Sequence, residues 1–489
     1  MRNMLDERAI GAIVEEVLKK LKAEGVVSSG VVSGLSVSGQ TVAGQVSSAQ
    51  HAFASVDQAV DAASKAYQDF RDVPLEARRK IIDRMRKVCV EHAEELSRLA
   101  LDETGLGRFE DKVKKNLLVA TRTPGVEDLR AEAVSGDHGL TIVERAPYGL
   151  ICSITPSTNP SETVINNGIG MVAGGNSVVF NPHPSARKTT KRTIELLNSA
   201  IVAEGGPPNV LSCVAEPTIE TAQAMMTHEK VKLLVVTGGG AVVREAMKSS
   251  KKVIAAGPGN PPAVVDETAD LASAAKHIVN GASLDNNIVC ICEKEVVAVG
   301  SITDDLKRRM LEHGAVEIKG RDIDKLKDLV IKEDKGPSRH GVTRREFVGK
   351  DATQLLAEIG VRGRDDARLI ICETPGSHAF VWTELLMPVL PIVRVKDVDE
   401  GIRFAKQVEQ GFGHTATMHS TNITKLSQMA RFIGTTVFVK NGPSYAGLGF
   451  GGEGYTSFTI ASPTGEGLTS ARTFTRMRRC VLVDYFRIV

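Results

Sequence analysis

The chain has 489 residues, enough for two or three domains with full cores, and its 42% hydrophobic and 25% charged content fits a soluble globular protein. Lys and Arg total 61 against 59 Asp and Glu, and the resulting net charge of +2 removes the general electrostatic case for nucleic acid; 4% aromatic residues with a single Trp remove the base-stacking case. No apolar run approaches a membrane span, and the charge-broken start Met1–Glu7 is not a secretory signal.

In chain order, residues 5–22 place Leu5, Ile10, Ile13, Val14, Val17, Leu18 and Leu21 at helical spacing. Acids come early and lysines late, which suits the helix dipole, and Gly25 is the stop. Residues 26–49 carry no charge and read as a flexible linker. Residues 51–70 and 75–105 read as long helices. Strand character appears at Leu140–Val143 and Gly149–Ile154, and the chain then alternates: strand Asn176–Phe180, helix Lys188–Ala203, strand Val210–Val214, helix Ile219–Thr227, strand Lys232–Val236, helix Ala241–Ser249. This alternation predicts a doubly wound parallel sheet. A second α/β stretch runs over 263–419. Within it, residues 304–351 are charge-rich and read as helix with a solvated face. A last apolar strand is expected at Val481–Val483.

The seven cysteines are scattered, with no paired or zinc-ligand spacing, so a reducing compartment and no metal site are expected. Cys290 follows the polar run Gly281-Ala282-Ser283-Leu284-Asp285-Asn286-Asn287 and leads into the strand Glu295–Val299. A lone cysteine in apolar surroundings reads as core, but Asn286 and Asn287 are poor core residues, which places their loop against a cleft. Cys292, two residues on, would share the direction of Cys290 in an extended segment; the competing reading is a wall thiol. Thr155-Pro156-Ser157-Thr158-Asn159-Pro160 follows a strand, where doubly wound folds place ligands, and an amide held before a proline is either a turn or an oxyanion donor. Thr237-Gly238-Gly239-Gly240 lies between a strand and a helix, and reads either as a tight turn or as a seat for a pyrophosphate.

Together with the segments VVFNPHP, AGPGNPP, DNNIVC, ELLMPV, GHTA and GGEGYTSFTI, these motifs give the chain from about residue 50 onward a resemblance to the aldehyde dehydrogenase superfamily, and within it to the CoA-acylating enzymes of bacterial microcompartments. The resemblance implies an α/β architecture: a Rossmann-type doubly wound cofactor domain (50–128 and 149–257), an α/β catalytic domain (258–445) and a small β flap (129–148 and 466–489) that joins protomers into a dimer or tetramer. It makes Cys290 the nucleophile and Asn159 the oxyanion donor, beside the Cys290 backbone N–H. Thr237, Gly238, Gly239 and Val242 fall at the cofactor phosphates, and Asn181, Pro182, His183 and Pro184 at the adenosine end. Glu384 falls at the nicotinamide ribose, and Thr155, Pro156, Ser157 and Gly257 complete the cofactor set. The implied cofactors are NAD and coenzyme A. Residues 1–24 would dock on shell proteins or co-packaged enzymes, placing the enzyme in the cytoplasm inside a microcompartment.

One departure decides between activities. Hydrolytic relatives carry a glutamate before the cysteine loop as the base for water, whereas Ala255-Ala256-Gly257-Pro258-Gly259-Asn260-Pro261-Pro262 has no carboxylate. A thiol needs less activation than water, so transfer of the acyl group to CoA is expected for a short aldehyde, propionaldehyde or acetaldehyde. The alternatives are a hydrolytic dehydrogenase giving the free acid and a non-catalytic microcompartment component. His414 reads as structural, with assistance to Cys290 as the second option.

Overall fold

The computed structural model describes residues 51–489; the helix expected over 1–24 and the linker expected over 25–49 lie outside the described residues. Long apolar runs without alternation demand a sheet covered on both faces. The strands Leu150–Ile154, Ser177–Asn181, Leu211–Val214 and Leu233–Thr237 are such runs, and all but Thr237 of their residues are buried. They form a six-stranded parallel sheet ordered Ala52–Phe53, Leu211–Val214, Ser177–Asn181, Leu150–Ile154, Leu233–Thr237, Lys252–Ala256. From Leu150–Ile154 the chain builds outward on one side, then returns to place Leu233–Thr237 on the other. Ile154 pairs with Asn181 on one flank and Val236 on the other, so the carboxyl ends of the three strands lie level at this topological switch point. The expected strands and helices between residues 149 and 249 all form, within two residues of the bounds read from the sequence.

The helix Pro160–Ala173 has no counterpart in the sequence reading. All 14 of its residues are buried, so it lacks the polar stripe that periodicity detects. The chain passes from the first sheet to the second through Gly257–Pro261. The second sheet has seven parallel strands, ordered Ala315–Glu317, Leu369–Glu373, Val389–Val395, Glu295–Val299, Pro262–Val265, Thr415–His419, Val437–Lys440. The charged stretch 304–351 is not wholly helical. Its helices Thr303–Glu312 and Arg321–Val330 are separated by the edge strand Ala315–Glu317 and followed by the pair Ile331–Glu333 and Val342–Thr343. Edge strands facing water carry charge, which hid them among helical residues.

A third, antiparallel sheet joins Glu132–Gly136, Gly139–Pro147 and Thr475–Val483, with Thr475 opposite Pro147 and Val483 opposite Gly139. The last strand is longer than the expected Val481–Val483 because its outer residues are polar and exposed. Between the second and third sheets the chain returns to the first. Phe458 N–H donates to Asn166 Oδ1 at 3.0 Å, and Thr459 Oγ1 lies 2.8 Å from Thr237 Oγ1.

The helix Leu271–Ser283 packs tightly beneath the second sheet's entry. A Cβ on Gly281 would stand 2.1 Å from Glu293 Oε2, and Glu293 is held by the Ser444 N–H at 2.8 Å and hydroxyl at 2.7 Å. Gly281→Ala should therefore destabilise the protein by about 1–3 kcal/mol. Thermal denaturation reads this as a lowered Tm; an unchanged Tm would show that Glu293 can move aside.

Candidate active site

The segment before Cys290 makes an uncommon turn. Asp285, Asn286 and Asn287 have φ of 48°, 54° and 66°, three successive left-handed residues without a glycine. Each is fixed through its own side chain. Asp285 Oδ1 accepts from the Arg108 N–H at 2.6 Å, and its Oδ2 lies 2.6 Å from Lys115 Nζ and 3.1 Å from Lys112 Nζ. Asn286 Nδ2 donates to Gly349 O at 2.9 Å and Asp351 Oδ1 at 3.0 Å. Asn287 Nδ2 donates to Ala282 O at 2.7 Å and Glu293 O at 3.0 Å, while Lys294 Nζ donates to its Oδ1 at 2.6 Å. The polar run thus does not line a cleft, as the sequence suggested. It is buried, and its amides staple the turn.

Cys290 sits in the turn that follows and keeps part of its surface open, whereas Cys292 is wholly buried, with Sγ 3.8 Å from Leu284 O. The segment is not extended, so the two thiols do not share a direction. Burial, then the Glu384 carboxylate, push the Cys290 thiol up to about 12, against Lys294 and Lys115.

Asn159 caps the helix Pro160–Ala173 at the end of the central strand's loop. Its Oδ1 accepts from Lys115 Nζ at 2.6 Å and its Nδ2 donates to Thr158 Oγ1 at 3.2 Å, which leaves one amide N–H uncommitted among the described residues. The opposite wall is the crossing segment. A Cβ on Gly259 would stand 2.9 Å from His414 Cγ and 3.1 Å from Cys290 O, so only glycine lets the backbone pass between them. Gly259 N–H points to Glu384 Oε1 at 3.5 Å, and Asn260 Nδ2 anchors the crossing to Val381 O and Val408 O, both at 2.9 Å. Glu384 is buried, which raises its carboxyl pKa against the pull of Lys294 and His340. His414 is fully buried, its Nδ1 2.9 Å from Thr415 Oγ1 and its Nε2 without a partner among the described residues; burial pushes it down to about 4, so the ring is neutral.

The remaining sequence-derived positions gather at the carboxyl edge of the first sheet. Thr155, Pro156 and Ser157 follow the central strand; Thr155 N–H donates to Asn181 O at 3.3 Å, and its hydroxyl is buried without a partner among the described residues. Asn181 ends the neighbouring strand and accepts from Thr221 Oγ1 at 2.7 Å; His183 Nδ1 accepts from Ser185 N–H at 3.1 Å, and Pro184 opens a short 3-10 turn. Across the switch point Thr237 ends its strand, Gly238 N–H donates to Ala256 O at 3.2 Å, and Gly239 begins the helix Gly240–Met247 with no side-chain cap and open space where a Cβ would lie. A Cβ on Gly238 would stand 2.9 Å from Val242 Cγ1. Gly257 heads the crossing segment, where a Cβ would stand 3.1 Å from Pro463 Cγ. An uncapped helix start beside an orphaned hydroxyl is a fitting seat for a pyrophosphate.

Lys115, Asp285, Lys294 and Gly259 were not singled out from the sequence. Lys112 and Lys115 stand three apart on the helix Phe109–Arg122, a spacing that in a lysine-rich segment reads as solvated surface; only the burial of that face shows otherwise.

A doubly wound sheet meeting a second α/β lobe, with a cysteine, an amide and a glutamate around one crossing segment, defines an aldehyde-oxidising dehydrogenase site with a cysteine nucleophile. The Aldehyde dehydrogenase family matches residues 32–474, and the chain belongs to that family. It is 53% identical over 440 residues to the acetylating acetaldehyde dehydrogenase EutE of Salmonella typhimurium, covering 89% of this chain and 93% of that one. It is 46% identical over 437 residues to a CoA-propanoylating propanal dehydrogenase of Citrobacter freundii, covering 89% and 93%. Among solved structures, a propionaldehyde dehydrogenase from the fucose utilisation microcompartment of Clostridium phytofermentans superposes with a TM-score of 0.87 at 47% identity, over 90% of this chain and 100% of that one. A Rhodopseudomonas palustris propionaldehyde dehydrogenase with bound CoA and an acylated cysteine superposes with a TM-score of 0.86 at 48% identity, over 90% and 99%.

Because burial disfavours the charged thiolate, the thiolate of Cys290 should accumulate only as pH rises. In a Cys480→Ser background, which removes the exposed thiol, alkylation of Cys290 by iodoacetamide should accelerate about tenfold per pH unit from pH 7 to 9. A plateau below pH 8 would reveal a stabilised thiolate.

Proposed function

We propose that the protein oxidises a short-chain aldehyde, acetaldehyde or propionaldehyde, with NAD and coenzyme A to give the acyl-CoA and NADH through a thioester on Cys290. The observation that carries this reading is the crossing segment Ala255–Pro262, which runs along the Cys290 wall without a carboxylate to activate water. The Cys290 thiolate attacks the aldehyde carbon. The free N–H of Asn159 Nδ2 and the backbone N–H of Cys290 hold the resulting oxyanion. Thr155–Ser157, Gly238, Gly239 and Val242 would seat NAD, with Asn181, His183, Pro184 and Gly257 bordering the crevice and Glu384 available to its ribose, and the bound cofactor would supply the hydride acceptor. The thioester on Cys290 then meets CoA, and the CoA sulfur displaces Cys290. Coenzyme A reacts through its own thiolate fraction and Cys290 leaves as the thiolate, while His414, neutral and fully buried, packs against the crossing segment.

Cys290→Ala should abolish NADH formation while NAD still binds by tryptophan or NADH-fluorescence titration. Without CoA, the intact enzyme should release at most about one equivalent of NADH per site, because the acyl-enzyme has no acceptor. Sustained turnover without CoA would replace this reading with hydrolysis.

The same reading extends to assembly. The flap strand Thr475–Val483 exposes Val481, Leu482 and Val483, followed by exposed Tyr485 and Phe486, and this edge joins a second copy in a homo-oligomer. Residues 1–24, whose sequence carries apolar residues at helical spacing, would direct the enzyme into a microcompartment by docking on shell or co-packaged protein. Deleting residues 1–24 should leave kcat and KM nearly unchanged and abolish co-sedimentation with shells; encapsulation of the truncated enzyme would overturn the targeting role.

A further inference from the structure

Lys115 touches neither the described crevice nor Cys290 by hydrogen bond, yet it sits under both halves of the site. Its ammonium is buried and has three acceptors at contact distance: Asn159 Oδ1 at 2.6 Å, Asp285 Oδ2 at 2.6 Å and Glu162 Oε1 at 2.9 Å. An ammonium has three N–H donors and no acceptor; one is hydrogen-bonded to Asn159 Oδ1, while Asp285 and Glu162 neutralise the charge as ion pairs. Burial alone would strip its charge; Asp285 and Glu162 outweigh burial and keep it protonated.

This arrangement removes a freedom that a side-chain amide ordinarily has. The oxygen and nitrogen of an amide are nearly equal in size and can exchange places by a flip of the terminal torsion. Against an ammonium only the oxygen is tolerated, because a facing NH₂ would set donor against donor. Asn159 must therefore present Oδ1 inward and Nδ2 outward. A flipped Asn159 would turn a lone pair towards the oxyanion. The charge-assisted bond also draws density from the amide oxygen and strengthens its N–H donor. The second anchor, Asp285, begins the left-handed turn that carries Cys290, so one ammonium sets the separation of donor and nucleophile.

We infer that Lys115 is a positioning residue for aldehyde oxidation: it locks Asn159 as an N–H donor and fixes that donor relative to the Cys290 turn. The inference rests on Asn159 being the oxyanion donor proposed above. Lys115 does not act chiefly through the thiol. Glu384 and Lys294 both weigh more on Cys290, and the charge of Lys115 is offset by the two carboxylates it touches.

A double-mutant cycle on kcat separates these roles. Asn159→Ala should lower kcat about 10²–10³-fold, the usual cost of one oxyanion donor. Lys115→Met should lower it about 10²-fold, with KM for aldehyde changed far less. In the Asn159→Ala background, Lys115→Met should cost less than about threefold, since the group it positions is already gone. Multiplying losses in the double variant would overturn the inference, because Lys115 would then act through the fold or through Cys290. So would a nearly normal kcat for Lys115→Met beside a damaging Asn159→Ala. If Asn159→Ala itself is nearly harmless, the oxyanion assignment fails first and the Lys115 inference falls with it. Should Lys115→Met not fold, Lys115→Met with Glu162→Gln removes one charge of each sign from the cluster and enters the same cycle.

Discussion

Lys112, Lys115, Asp285 and Glu162 are all withdrawn from water, and the active centre is built on their mutual neutralisation. Ionised groups in such a place cost several kcal/mol each unless paired, so each of the four leans on its partners. The pairing has a geometric product. Lys112 and Lys115 lie on the helix Phe109–Arg122, Glu162 on the helix Pro160–Ala173 and Asp285 at the end of the helix Leu271–Ser283. Electroneutrality therefore welds two helices of the first lobe to the entry of the second. Asp111 extends the weld, accepting from the Asp285 N–H at 3.0 Å and from Arg368 Nη2 at 3.1 Å. The energy that hydrophobic residues of equal volume would supply is here spent on holding a turn of three left-handed residues in register.

That turn explains the state of the nucleophile. A thiol pushed up to about 12 is quiet at neutral pH, and the surroundings that raise it are the buried wall and the Glu384 carboxylate. At neutral pH its reactivity then depends on charge brought in by bound ligands. The crossing segment serves the same economy of space. Gly259 lets a backbone pass between His414 and Cys290 where any side chain would collide, and the crossing segment itself carries no carboxylate. A site that cannot readily ionise water but already holds a thioester is suited to a thiol acceptor, which carries its own fraction of nucleophile near neutral pH.

The sheets were readable because their signals are local. Buried Val/Ile/Leu runs separated by glycines and amphipathic helices announce a parallel sheet one segment at a time, whereas the switch point between Thr155 and Thr237 needed the strand order. The helix Pro160–Ala173 was unreadable for the converse reason: buried on every side, it has no period. The charged span 304–351 misled because a solvated strand edge and a solvated helix face use the same residues.

The amino-acid sequence by itself determined the family resemblance, the candidate positions Cys290 and Asn159 that it implies, and the lack of a carboxylate before the cysteine loop, all of which reside in contiguous motifs. Tertiary structure alone decided what those motifs lean on. Asn286 and Asn287 read as cleft residues until their amides were found bonded to backbone up to 63 positions away in the chain. Nothing in the sequence sets Lys115 apart from the lysines beside it; its neighbours 44 and 170 positions further along the chain, Asn159 and Asp285, meet it only in the fold. Charge pairing acts through space at a few ångströms and leaves no period in the sequence, so only the folded chain can show that a lysine is buried and what it holds.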